Sequence, residues 1–167
     1  MGPYVFMFRD ISKSQSPRPP MDLLWQYTLV FLAAATPWLE IMIVIPVAIG
    51  AGLAPVPVTI VSFVGNALPV FGIIALFQWW ERRRGPVRRR WSARAMRVWA
   101  KWGLPGLALA GPAVTGIHLA AVMALALHAD RRATALWMTV SLAFWSVGTT
   151  LVTVAGIEGF RQLFGGD

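Results

Sequence analysis

Cysteine is absent from the sequence. Its absence excludes disulfides, thiolate metal sites and cysteine nucleophiles. It says little about compartment, because a membrane chain needs no covalent staples. Histidine occurs only at positions 118 and 128, and two histidines ten residues apart form no recognisable metal pattern. No glycine-rich loop ends in Gly-Lys-Ser/Thr, which argues against ATP hydrolysis by this chain. No Ser/His/Asp arrangement stands out. The expectation is a non-enzyme with neither metal nor cofactor, and any transport would draw on a gradient or a partner.

Acidic residues are scarce too, seven against fifteen Lys and Arg. Between Leu23 and Phe77, 55 residues, Glu40 is the only charge. A hydrocarbon core of about 30 Å takes roughly 20 helical residues to cross. The stretch therefore holds two crossings and some surplus, and Glu40 falls in that surplus, between Pro37 and Pro46. A carboxylate at such depth is costly and by default functional or paired.

The 167 residues are 57% hydrophobic with a mean hydropathy of +0.61. That composition is that of an integral membrane protein, and the length fits one compact bundle. The net charge of +8 is concentrated: Glu81 to Lys101 holds eight arginines, one lysine and one glutamate. A basic loop between spans follows the positive-inside bias. It predicts a cytoplasmic linker in a multi-pass protein of the cell (plasma or inner) membrane, with no nucleic-acid partner.

The chain divides accordingly. Residues 1–20 are polar and proline-rich and read as a flexible tail, with Met21 as a candidate true start. Residues 21–80 form the first membrane half: a helix, a re-entrant hairpin over Pro37–Ala54, and a second helix reaching about Trp79. Residues 81–102 form the basic linker. Arg90, Arg94, Arg97 and Lys101 recur there at helical spacing beside Trp91, Trp99 and Trp102. This predicts an interfacial amphipathic helix with cations toward anionic lipid headgroups. Residues 103–157 form the second half, in which Leu104–Leu127 is interrupted by Pro105, Gly106, Gly111, Pro112 and Gly116 and reads as a second hairpin. Residues 158–167 are a polar tail.

Pro46-Val-Ala-Ile-Gly50-Ala-Gly-Leu53 and Pro112-Ala-Val-Thr-Gly116-Ile-His-Leu119 share Pro-x-x-x-Gly-x-x-Leu. Val64-Gly65-Asn66-Ala67-Leu68 resembles Val147-Gly148-Thr149-Thr150-Leu151 at a larger offset. Interrupted apolar segments at matching places in two halves are the pattern of an inverted repeat with a midplane site. The predicted fold is an all-α integral membrane protein, a small helical bundle with two re-entrant hairpins in an inverted repeat.

The candidate proton- or substrate-binding residues are Glu40, Asn66 and His118. Glu40 reads as a proton or cation carrier, as one member of a buried pair, or as a residue near the outer interface. His118, on the repeat-related hairpin, is its natural partner. Pro37, Pro46, Gly50, Gly65, Pro112 and Gly116 are expected to shape the hairpins. Asn66 can hydrogen-bond backbone left free there, and Ser146, Thr149, Thr150 and Thr153 form a stripe suited to helix packing. The candidate lipid-headgroup contacts are Arg90, Arg94, Arg97, Lys101, Trp91 and Trp102.

The run Pro37-Trp-Leu-Glu40-Ile-Met-Ile-Val-Ile45-Pro46, followed by Gly65-Asn66-Ala-Leu-Pro69, resembles the small multidrug export (small multidrug efflux) proteins. They in turn look distantly related to the DedA/VTT membrane proteins. The resemblance covers roughly Met21 to Ile157. One departure is Met42, where that family often has arginine, so an internal Glu-Arg pair is absent. The resemblance implies a small secondary transporter or exporter, with proton coupling as the leading expectation. Alternatives are a DedA-like translocase of lipid or lipid carrier, and a non-transporting membrane assembly subunit. The partners expected are membrane lipids, a small-molecule or lipid substrate and, if so small a bundle transports, a second copy.

Overall fold

A computed structural model describes residues 20–37, 39–85 and 93–164, which form six helices and no strand. α1 (Pro20–Ala35) has Asp22 in its first turn and ends where Pro37 cannot continue it. α2 (Ile41–Gly50) follows Glu40, its N-cap residue. It closes on Gly52, whose φ of +87° lets the Leu53 and Gly52 amides bond back to the Ala48 and Ile49 carbonyls. α3 (Pro55–Arg84) starts with proline, whose missing donor costs nothing in the first turn. Its 30 residues extend about 45 Å.

α4 (Ala93–Val114) is two helical pieces joined at Gly103 (φ 56°, ψ −155°). The first piece, to Trp102, agrees with the predicted amphipathic helix; the second is apolar, with Pro105 tolerated near its start. α5 (Ile117–Ala126) ends like α2, with His128 (φ +63°) where α2 has Gly52 and the corresponding bonds from Ala129 to Ala124 and His128 to Leu125. α6 (Arg131–Phe164) is capped by Asp130, whose Oδ1 accepts from the Ala133 amide at 2.8 Å.

Two cross-links orient the long helices. The hydroxyls of Thr59 and Thr150 hydrogen-bond at 2.6 Å, and Arg131 donates to Glu81 at 2.5 Å. Low numbers on α3 thus meet high numbers on α6, so the two run antiparallel. α4 and α5 fold back on each other: a Cβ at Gly111 would lie 2.5 Å from that of Ala120. α1 crosses α3 closely at Gly65, where a Cβ would meet the Phe31 carbonyl oxygen at 2.7 Å.

The distribution of polarity is inverted relative to a water-soluble protein. Ser62, Asn66, His118, Thr134, Ser141 and Ser146 are buried, whereas Val56, Ile60, Val64, Leu68 and Phe71 form an exposed stripe on α3, and Leu136, Val140, Phe144 and Leu151 another on α6. α3 and α6 are each long and apolar enough to cross a membrane. With lipid as solvent, such stripes cost nothing and the interior polar groups serve packing or function.

The architecture repeats. Ile41 and Ile117, which begin α2 and α5, are 76 residues apart, as are Pro55 and Arg131, which begin α3 and α6. The same step carries buried Ile41, Val44, Ile45, Ala48 and Ile49 onto buried Ile117, Ala120, Ala121, Ala124 and Leu125. It carries Val58, Ser62, Asn66 and Val70 onto Thr134, Met138, Leu142 and Ser146, again all buried. The packed helix pairs are also unchanged when α1, α2 and α3 are exchanged with α4, α5 and α6.

This register differs from the one expected from sequence. Pro46 lies inside α2 and Pro112 in the last turn of α4, so the shared Pro-x-x-x-Gly pattern falls on places that do not correspond. Pro37–Ala54, expected to enter and leave as a hairpin, holds the single helix α2. The interruption between helices lies before it, after Ala35 where α1 ends and ahead of Ile41 where α2 begins.

Candidate functional site

The residue before α2 reaches the start of α5 through its side chain. Glu40 has extended backbone (φ −70°, ψ 149°) and makes no side-chain bond to its own helix. Its carboxylate reaches the start of α5, where the Ile117 amide is directed at it. Oε1 sits against Gly116, whose φ of +82° and missing Cβ leave the room: a Cβ there would lie 2.5 Å from that oxygen. Oε2 is buried with no hydrogen-bond partner among the described residues. The N-terminal end of α5 carries partial positive charge, and its first amide faces this carboxylate.

Among the described residues no fixed cation pairs with it. Among the described residues the ion pair is Glu81–Arg131, at the far end of α3. His118, one residue into α5 beyond Ile117, is the closest sequence-predicted partner along the chain. Its ring lies beside the Asn66 backbone carbonyl, and neither ring nitrogen has a well-formed hydrogen bond. The Asn66 amide is fully buried and likewise unpartnered at both its oxygen and its nitrogen. Asn66 thus does not hydrogen-bond free backbone as expected from sequence. The predicted trio divides into one carboxylate at the start of α5 and one histidine beside the Asn66 backbone.

Two serines join this list: Ser62 Oγ, one turn before Asn66 on α3, which the sequence did not single out, and Ser146 Oγ on α6, expected in the packing stripe, are buried without partners among the described residues. Buried polar atoms are nearly always satisfied by protein or water, so this concentration marks a polar interior suited to water or a solute. The only sequence signal for Ser62 is its four-residue step from Asn66. Asn66 lies eleven residues into α3, about 16 Å along its axis. Among the described residues no group of His, Asp and Glu could hold a metal ion.

The shaping residues divide. Gly116 serves the carboxylate and Gly65 the α1–α3 crossing. Pro112 frees the Ala108 carbonyl from its helical donor, and the buried Ser141 hydroxyl donates to that oxygen at 2.6 Å. Pro46 interrupts α2, Pro37 lies in the break before it, and Gly50 faces open space. Of the predicted lipid contacts, Arg97, Lys101 and Trp102 are exposed, with the Lys101 ammonium 5.6 Å from the Trp102 ring centre. Arg90, Trp91 and the side chain of Arg94 lie outside the described residues.

No curated protein and no solved structure matches the chain, so the distant DedA/VTT likeness rests on the sequence resemblance alone. A family model described as "Putative small multi-drug export protein" matches residues 40–147, beginning at Glu40 and spanning both short helices and the start of α6. The chain therefore belongs to the small multi-drug export family.

Proposed function

We propose that the chain is a proton-coupled secondary exporter of the cell membrane, with Glu40 as the group that takes up and releases the proton. The observation that carries this reading is the Glu40 carboxylate set against the N-terminal end of α5, with no ion pair to it among the described residues. A carboxylate paired permanently with arginine would be locked in its charged form. One held only by helix ends and backbone amides can be discharged by a proton and recharged. Asn66 and His118 supply unspent hydrogen-bonding capacity for a solute next to it.

In this reading α1–α2 and α4–α5 are re-entrant hairpins whose turns meet near the bilayer midplane. The 76-residue register and the antiparallel α3 and α6 support an inverted repeat about that point. The basic linker lies in the cytoplasm, where its exposed cations meet anionic headgroups.

The test is flux in proteoliposomes. Under an imposed solute gradient, the parent chain acidifies or alkalinises the lumen, and Glu40→Gln abolishes that proton movement while eluting and melting like the parent. Undiminished proton flux in Glu40→Gln would remove Glu40 from the carrier role. Altered lipid exposure without a soluble solute would instead favour lipid translocation.

A further inference from the structure

The two ends of the α3–α6 pair are in different states, although the repeat makes them equivalent. A cavity of about 680 Å³ opens at the basic-linker end, with Ile74, Phe77, Leu125, Ala129 and Ala135 among its apolar walls and Glu81 and Arg131 at its charged part. The 76-residue step relates Ile74 to Thr150 and Thr59 to Ala135. Ile74 and Ala135 face the cavity, whereas Thr59 and Thr150 are hydrogen-bonded to each other at 2.6 Å. The same step relates Ala129, on the cavity wall, to Leu53, which is buried. One end of the seam between the halves therefore holds a cavity, bridged at its rim by the Glu81–Arg131 pair, and the corresponding end is closed.

The open end leads toward the site. Asn66, Val70 and Ile74 occupy one face of α3 at four-residue steps, and His118, Ala121 and Leu125 one face of α5. Ile74 and Leu125 line the cavity. Val70 and Ala121, both buried, lie between these cavity-lining positions and Asn66 and His118 along their helices. At 1.5 Å per residue, Ile74 is about 12 Å along α3 from Asn66.

We propose that this cavity is the solute vestibule of a state open toward the basic linker, and that the Thr59–Thr150 hydrogen bond is the gate of the opposite side. Exchange of the two halves' packing closes the Ile74–Ala135 end and parts the Thr59–Thr150 end, which exposes the same midplane groups to the other face. The inference rests on the transport reading of the Glu40 site and adds its access route and gate. It needs no new fold: the two arrangements use the same helix pairs, because the packing is symmetric under exchange of the halves.

Because the chain has no cysteine, single-cysteine labelling with a membrane-impermeant thiol reagent reads out each end. In the parent, Ala129→Cys reacts readily from the linker side, and Leu53→Cys reacts at least about tenfold more slowly from the other side. Adding Thr59→Val removes the gate bond. Leu53→Cys is then expected to react about fivefold faster, the size of shift one hydrogen bond supports, while Ala129→Cys slows. Thr150→Val reproduces this, and Thr59→Ser, which keeps the hydroxyl, restores the parent rates.

Faster reaction at Leu53→Cys with an unchanged or faster Ala129→Cys would mean local loosening and would overturn the proposal, as would no change at either site. A second measurement stands apart from the valine variants. Oxidising the pair Thr59→Cys and Thr150→Cys should halt solute flux, and reduction should restore it; full flux through the cross-linked protein also overturns the gate. Labelling does not depend on proton coupling, so undiminished proton flux in Glu40→Gln would refute the carrier role and leave the gate to be judged by its own readout.

Discussion

Glu40 and Gly116 occupy the same place in the two halves of the chain, and they touch. Each precedes the isoleucine that opens a ten-residue helix, and the 76-residue step relates one to the other. Contact between equivalent positions puts them where the halves meet. Gly116 is required twice over, for its φ of +82° and for the 2.5 Å between a would-be Cβ and Glu40 Oε1. Gly116→Ala is expected to destabilise the fold by about 1–3 kcal/mol, measured by unfolding in mixed detergent. In a Glu40→Ala background the steric part disappears and only the backbone strain, about 1 kcal/mol, remains. Equal losses in both backgrounds would show that the carboxylate does not press on Gly116.

Ser141 and Pro112 make a second such dependence. The Ser141 hydroxyl stands in for the donor that Pro112 lacks at the Ala108 carbonyl. Ser141→Ala leaves that buried oxygen unpaired and is expected to cost about 1–3 kcal/mol. In a Pro112→Ala background, where the helix can supply its own amide, the loss should fall below about 1 kcal/mol. A double-mutant cycle with no coupling energy would count against this account.

Gly65 sets how closely α1 approaches α3. A Cβ there would stand 2.7 Å from the Phe31 carbonyl oxygen and 3.0 Å from the Ala34 Cβ, and neither neighbour is the end of a flexible chain. Gly65→Val is expected to lower the unfolding midpoint strongly, by about 2–3 kcal/mol in stability. Gly72→Ala, on the same helix but facing open space, should be neutral or slightly stabilising. A ranking with Gly72→Ala the more damaging would contradict the crossing.

The Glu81–Arg131 pair joins the C-terminal end of α3 to the N-terminal end of α6, with the Arg131 side chain 40% exposed. Solvent screening limits what it contributes, so Glu81→Gln should cost no more than about 1 kcal/mol and less still in high salt. Its topological consequence is firmer. Arg131 lies at the basic-linker end, so Ala129→Cys and Met96→Cys should label from one face of the membrane and Ala51→Cys from the other. Labelling of Ala129→Cys and Met96→Cys from opposite faces would mean that α4 and α5 together cross the bilayer.

Composition and the scarcity of charge were enough to settle the class. A chain with one acid group in 55 residues, and a cluster of cations after them, has to place its apolar surface in lipid. The long apolar helices α3 and α6 follow from that reasoning alone, as does the exposure of Arg97, Lys101 and Trp102.

Register was decided only in three dimensions. Proline and glycine advertise a bend without saying which side of it a helix lies on, so Pro46 and Pro112 invited a pairing that the packing does not make. The repeat is carried by which positions are buried, and burial depends on neighbours far along the chain. Ser62 pairs with Met138 and Asn66 with Leu142 because each pair fills the same place between helices, not because the residues are alike. The meeting of Glu40 with the start of α5, the Ser141 bond to Ala108 and the opposed states of the Thr59–Thr150 and Ile74–Ala135 ends likewise require the fold. Sequence fixes what a residue can do chemically; only packing brings together groups dozens of residues apart and determines which of them are left without a partner.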